Sequence, residues 1–181
     1  MAGEQRVGRK ILITGAPGVG KTILVRRVAE KVHDLEPVGF WIEEIREHGE
    51  RIGFSIESFE GKRAVLAHTK IAGRYRIGKY RVDIEGFERF LDGIGWGDDL
   101  RPVIIDEIGR MECLSPKFRA LIDKLMASRR TLLATIALKG DAYIEGLKRR
   151  EDVMLHVIGR ENREAMITQV EEEMRGVERR G

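Results

Sequence analysis

The chain has 181 residues, 42% of them apolar and 35% charged, with a formal charge of +3 at neutral pH. That length suits one compact unit with a real core, and the apolar share excludes disorder as its general state. The lone cysteine, Cys113, excludes an internal disulfide and a cysteine zinc site, and the four scattered histidines show no metal-ligand spacing.

Residues 10–15, KILITG, form a short apolar run ending in glycine and predict a buried strand. Leu24, Val25, Val28, Ala29 and Val32 then recur at helical spacing, which predicts a helix over about 21–32 with one face inward. VGFWIEEI at 38–45 predicts a second strand. The alternation of Ile52, Phe54 and Ile56 after Gly49 predicts that it returns as a hairpin. Ile84, Phe87, Leu91 and Ile94 share a helix face, and GIGWGDD at 93–99 breaks the chain.

The run through 102–105 predicts another strand, and Ser115-Pro116 is a good helix entry for the stripe Phe118, Leu121, Ile122, Leu125 and Met126. TLLATIA at 131–137 and VMLHVI at 153–158 predict strands on either side of a short helix near 141–149. A last helix spans about 161–174, and the closing GVERRG is expected to fray. Strands alternating with helices imply an α/β fold, a mostly parallel sheet covered on both faces, with an inserted β-hairpin. The expected unit is a single domain over 1–181. The opening MAGEQRVGRK has no apolar signal core and no run approaches membrane-spanning length, so no membrane partner and a cytoplasmic setting are expected.

The sharpest motif is Gly15-Ala16-Pro17-Gly18-Val19-Gly20-Lys21-Thr22, which fits the phosphate-loop pattern between a predicted strand and a predicted helix. Glycines let backbone N–H groups turn inward around an anion, and the helix amino terminus adds its positive dipole end. Lys21 would reach the β- and γ-phosphates and the Thr22 hydroxyl would bind Mg²⁺. The second motif is Val103-Ile104-Ile105-Asp106-Glu107, an apolar strand ending in two acids. Asp106 is expected in the Mg²⁺ shell, and Glu107 as the base that accepts a proton from attacking water. Gly109 and Arg110 follow, and Arg110 either touches phosphate or base or is simply solvated.

With these residues in view, the chain resembles the small thermophile-type nucleoside-triphosphatases. GAPGVGKT, VGFWIEEIREHGERIGFSI, GKYRVDIEGFE, VIIDEIGRMECLSPKF, LKRREDVMLHVI and the Asn162-Arg163 pair match successive blocks across nearly the whole chain. The resemblance implies a P-loop fold and Mg²⁺-dependent hydrolysis of ATP, GTP, CTP and UTP with loose base selectivity. It also implies nucleotide contacts across 15–22 and 103–110, the latter including Ile108. Two departures stand out: Ile42 where the family often has Thr, and Ala137 where some members carry His.

Weaker residues keep two readings each. Glu44 either assists Glu107 or pairs within the hairpin. Thr135 senses the γ-phosphate or is an ordinary strand residue. Arg149 and Arg150 face phosphate or end a solvated helix, and Trp41 and Trp96 stack on a base or pack. Residues 61–82 carry seven cations and no acid, which leaves the rest of the chain at −4. That segment is a basic flap near the triphosphate, a nucleic-acid patch or a solvated loop balanced by acids elsewhere. Rival readings are a nucleotide or small-molecule kinase and a nucleic-acid-dependent ATPase, the latter not favoured. No arginine finger stands out, so slow turnover is expected, and the sequence carries no reading of oligomeric state.

Overall fold

The computed structural model describes residues 8–97 and 100–176. Asp98 and Asp99 of the predicted chain break, and all but Gly176 of the predicted frayed end, lie outside them. In chain order the strands are β1 (Lys10–Thr14), β2 (Val38–Glu47), β3 (Glu50–Ser58), β4 (Arg63–His68), β5 (Tyr75–Ile77), β6 (Tyr80–Val82), β7 (Val103–Ile108), β8 (Leu132–Ile136) and β9 (Val153–Val157). The helices are α1 (Lys21–Lys31), α2 (Ile84–Gly93), α3 (Pro116–Ala127), α4 (Ala142–Lys148) and α5 (Arg163–Arg175).

One sheet runs β5-β6-β4-β3-β2-β7-β8-β1-β9. From β2 to β9 the neighbours are parallel, and from β2 to β5 they are antiparallel. The α/β expectation with a parallel sheet holds, but the insertion is larger than the expected hairpin: four strands follow β2, so β2 joins two halves of different pattern. Its seam with β7 is close. Gly39 has φ 144°, and a Cβ there would stand 1.8 Å from the Ile104 carbonyl oxygen, so only glycine fits.

The sheet separates two apolar layers. Leu24, Val25, Val28 and Ala29 of α1 pack with Met166, Ile167 and Val170 of α5 on one face. Phe87, Phe90 and Leu91 of α2, Phe118 and Ile122 of α3 and Ile144 of α4 cover the other. Phe40 of β2 sits among the rings of Phe87, Phe90 and Phe118. The Ser115 hydroxyl accepts from the Phe118 N–H at 3.0 Å, so the predicted cap and proline start α3 as expected.

Residues 61–82 are mostly not loop, because they supply β4, β5 and β6 of the sheet. Leu66, Ala67, Tyr80 and Val82 are buried, which the density of charge around them conceals. Arg63, Lys70 and Lys79 pair with Glu57, Glu47 and Glu50 of the neighbouring hairpin, and Lys62 with Glu60. Four of the seven cations are thus paired with nearby acids, pairs largely open to solvent and each worth little to stability, while Arg76 and Arg81 bond the Gly78 and Gly73 carbonyls. Among the described residues no helix is long and apolar enough to cross a membrane.

Candidate active site

Parallel strands put their carboxyl ends on one edge, and the loops there form the cleft of an open α/β sheet. Gly15, Pro17, Gly18, Gly20, Lys21 and Thr22 line this cleft from the loop after β1. Gly18 (φ 74°) and Gly20 (φ 105°) supply the left-handed conformations that turn the loop into the start of α1. Ala16 is exposed and Val19 packs toward the core beneath α1 and α5, so these two contribute backbone rather than side chains.

Two strands away, β7 delivers Asp106 and Glu107 to the same cleft. Val103, Ile104, Ile105 and Ile108 are wholly buried and present no side chain to it; they hold the strand that aims the acids. Of the expected stretch 103–110, the residues that line the cleft are Asp106, Glu107, Gly109 and Arg110. Gly109 and Arg110 do line the cleft, Arg110 exposed at its rim.

Thr22 Oγ1 donates to Asp106 Oδ2 at 2.6 Å. Thr135 Oγ1 donates to Asp106 Oδ1 at 2.5 Å, and the Ile42 backbone N–H adds a smaller influence that favours the charged carboxylate. Burial pushes the Asp106 pKa upward, opposed by the Thr135 and Thr22 hydroxyls and by Lys21. The parallel register of β7 and β8 is regular through Ile105 and Ala134 and shifts before Ile108, so Asp106 and Thr135 each follow directly on its last regular pair. Thr135 is fully buried, so it holds the acid rather than sensing a phosphate. Thr135→Val should lower stability by about 1–3 kcal/mol, because it leaves a buried carboxylate oxygen without its donor. Urea unfolding measures this, and an unchanged midpoint with an unchanged slope would refute the contact.

Lys21 Nζ donates to the Gly15 carbonyl at 3.3 Å and stands 4.0 Å from Glu107 Oε2. Burial raises the Glu107 pKa, Lys21 lowers it and Asp106 raises it further. Sequence reasoning missed Glu112, in the short turn Glu112–Leu114 after β7. It is 4% exposed, with a pKa pushed up to about 8 by burial first and by the Glu107 charge second. Glu107 and Glu112 flank Gly109: a Cβ there would lie 2.7 Å from Glu112 Oε2 and 3.1 Å from Glu107 Oε1.

The remaining candidates fall apart from the phosphate end. Glu44 lines the outer part of the cleft and pairs with Arg46 at 2.6 Å and Arg51 at 2.7 Å, as its hairpin reading expects. Arg150 pairs with Asp152, and neither Arg149 nor Arg150 lines the cleft. Trp41 packs edge-on against Phe59 beneath Arg26, and Trp96 Nε1 donates to the Leu91 carbonyl, so both are packing residues. Ile42 and Ala137, the two departures from the family pattern, both line the cleft wall.

A hard divalent cation suits the donors present. The Thr22 hydroxyl and the Asp106 carboxylate offer two adjacent oxygens, and Mg²⁺ keeps waters and takes phosphate oxygens for its other positions. Among the described residues no three His, Cys, Asp or Glu side chains gather into an all-protein cage, so such a cation would be shared with the triphosphate.

A family model described as NTPase matches residues 10–171. The nucleoside-triphosphatase THEP1 of Thermotoga sp. strain RQ2 is 40% identical over 165 residues, covering 89% of this chain and 92% of that one. The crystal structure of THEP1 from Aquifex aeolicus superposes with a TM-score of 0.81 at 33% identity, over 89% of this chain and 96% of that one. The solution structure of a human cancer-related nucleoside triphosphatase gives 0.71 at 28%, over 90% and 95%. With the family model spanning the loop, the acid pair and most of the sheet, the chain belongs to the NTPase family of nucleoside-triphosphate hydrolases.

Proposed function

We propose that this chain is a single P-loop domain that hydrolyses ATP, GTP, CTP and UTP to the diphosphate and phosphate with Mg²⁺. The observation that supports this most is the meeting of Thr22 with Asp106 and of Lys21 with Glu107 at one cleft edge. The loop N–H groups from Gly15 to Gly20 cradle the α- and β-phosphates, and Lys21 reaches the β- and γ-oxygens. Thr22 and Asp106 would hold Mg²⁺, which would supply charge neutralisation at the phosphates, and Thr135 fixes the Asp106 carboxylate. Glu107 takes the proton of the water that attacks the γ-phosphorus in line, its basicity raised by burial.

Loose base selectivity finds support in the two amide side chains among the described residues, a residue type that reads base edges through paired donors and acceptors. Asn162 spends its oxygen on the Gly159 N–H and its nitrogen on the Val157 carbonyl, and Gln169 bonds Glu173. Neither lines the cleft. Phosphate release should therefore occur with all four ribonucleotides, with kcat/KM values within about tenfold of one another, and stop in chelator. A preference beyond about a hundredfold for one base, or release that persists in chelator, would refute this part of the reading.

A further inference from the structure

The cleft is larger than the phosphate end requires. Its volume is about 950 Å³, at the upper end of small-molecule sites. The loop follows β1 and the acids follow β7, so a triphosphate with its α- and β-phosphates on the loop points its γ-phosphate toward β7. Beyond β7 lie β2 and β3, and the cleft continues over them to β5. This outer part is a chamber walled by Ile42, Phe54, Ile77, Met111, Ala137 and Leu138.

A hydrolase needs one ordered water there. Apolar walls hold water poorly, and a chamber of this kind stays favourable only when an apolar body fills it. The wall also says what that body lacks. Arg51, the cation of the β2–β3 side, is paired with Glu44 and lies over the Phe54 ring. Arg110 and Lys139 line the cleft as well, but the carboxylates of Glu43, Glu44, Asp106 and Glu107 share that lining and a triphosphate adds negative charge of its own, so the outer part holds no surplus of positive charge for an anionic acceptor. Phe54 in turn meets Tyr80 edge-on at 5.1 Å, which fixes an aromatic surface at the chamber edge.

Building on the hydrolase reading above, we infer that the chamber between Glu107 and β2, β3 and β5 takes an uncharged alcohol with an aromatic or branched apolar body, as a phosphoryl acceptor in competition with water. The alcohol oxygen forms a bond to the γ-phosphorus. The bond from that phosphorus to the β,γ-bridging oxygen breaks, its electron pair leaving with the nucleoside diphosphate. The hydroxyl proton passes to the Glu107 carboxylate, as water's proton does in hydrolysis. Products are an alkyl phosphate and the diphosphate, with no other reactant.

The test incubates the protein with ATP and Mg²⁺ in equal concentrations of benzyl alcohol or ethanol and follows phosphorus by NMR. Benzyl phosphate should exceed ethyl phosphate by at least about tenfold, the scale on which an apolar pocket sorts substrates. Ile77→Trp, which fills the chamber, and Phe54→Ala, which strips its wall, should each lower that ratio in protein whose thermal unfolding is still cooperative. Inorganic phosphate alone from both alcohols overturns the acceptor chamber and leaves hydrolysis standing. A benzyl-to-ethyl ratio unchanged in both variants overturns the chamber as its source. No phosphate in any form overturns hydrolysis and the acceptor together.

Discussion

Glu107→Gln should slow phosphate release by about two to four orders of magnitude, the range of a general base, while nucleotide still binds. The amide keeps the shape of the side chain but has no lone pair basic enough to take a proton from water. Lys21, 4.0 Å from Glu107 Oε2, loses a carboxylate neighbour in the variant and is left freer for the triphosphate. Binding should therefore hold or tighten while turnover collapses, a split between Kd and kcat that simple loss of folding would not produce. A fluorescent nucleotide gives the first quantity and phosphate release the second. Release at the wild-type rate would remove Glu107 from the chemistry and turn attention to a base borrowed from the substrate.

The second large effect concerns stability. Glu112→Gln should make the protein more stable, and increasingly so as pH rises. The folded Glu112 carboxyl holds its proton up to about pH 8, whereas its ordinary value is 4.5. Below that lower value both folded and unfolded chains are protonated and the variant differs little. Between the two values the unfolded chain releases a proton that the folded chain keeps, so the native protein loses stability with rising pH. Each unit of separation corresponds to about 1.4 kcal/mol, so the advantage of the glutamine reaches several kcal/mol near pH 8 and then levels off. Denaturant unfolding at a series of pH values measures it. Parallel curves for the two proteins would show that Glu112 is not held neutral.

These two glutamates also show where the sequence is legible. The phosphate loop and the Asp106-Glu107 pair are contiguous, and their residue types and spacing already dictate the chemistry. The helices are legible too, since Leu24, Val25, Val28 and Ala29, or Phe118, Ile122 and Leu125, repeat at one face's spacing. Glu112 is hidden because nothing local separates a buried acid from a solvated one. Its burial comes from the turn after β7 folding back beside Gly109. Thr135 is hidden for a related reason, since its tie to Asp106 needs the register of two strands 29 positions apart in sequence. The segment 61–82 misleads in another way. β5 and β6 are three residues each, too short for alternation to show, and Lys70 and Lys79, in the links before and after β5, pair with Glu47 at the end of β2 and Glu50 at the start of β3, which no local pattern reveals.

Strand β2 belongs to both halves of the sheet. One edge is sealed to β7 at Gly39, its Ile42 N–H adds a small favourable influence on the charged Asp106 carboxylate, and the Ile42 side chain forms part of the chamber wall. Wall and acid therefore share a single backbone. A substitution that reshapes the chamber by moving β2 also moves an N–H that favours the charged form of Asp106. Drift in whatever the chamber accepts therefore carries a small effect on the carboxylate with it.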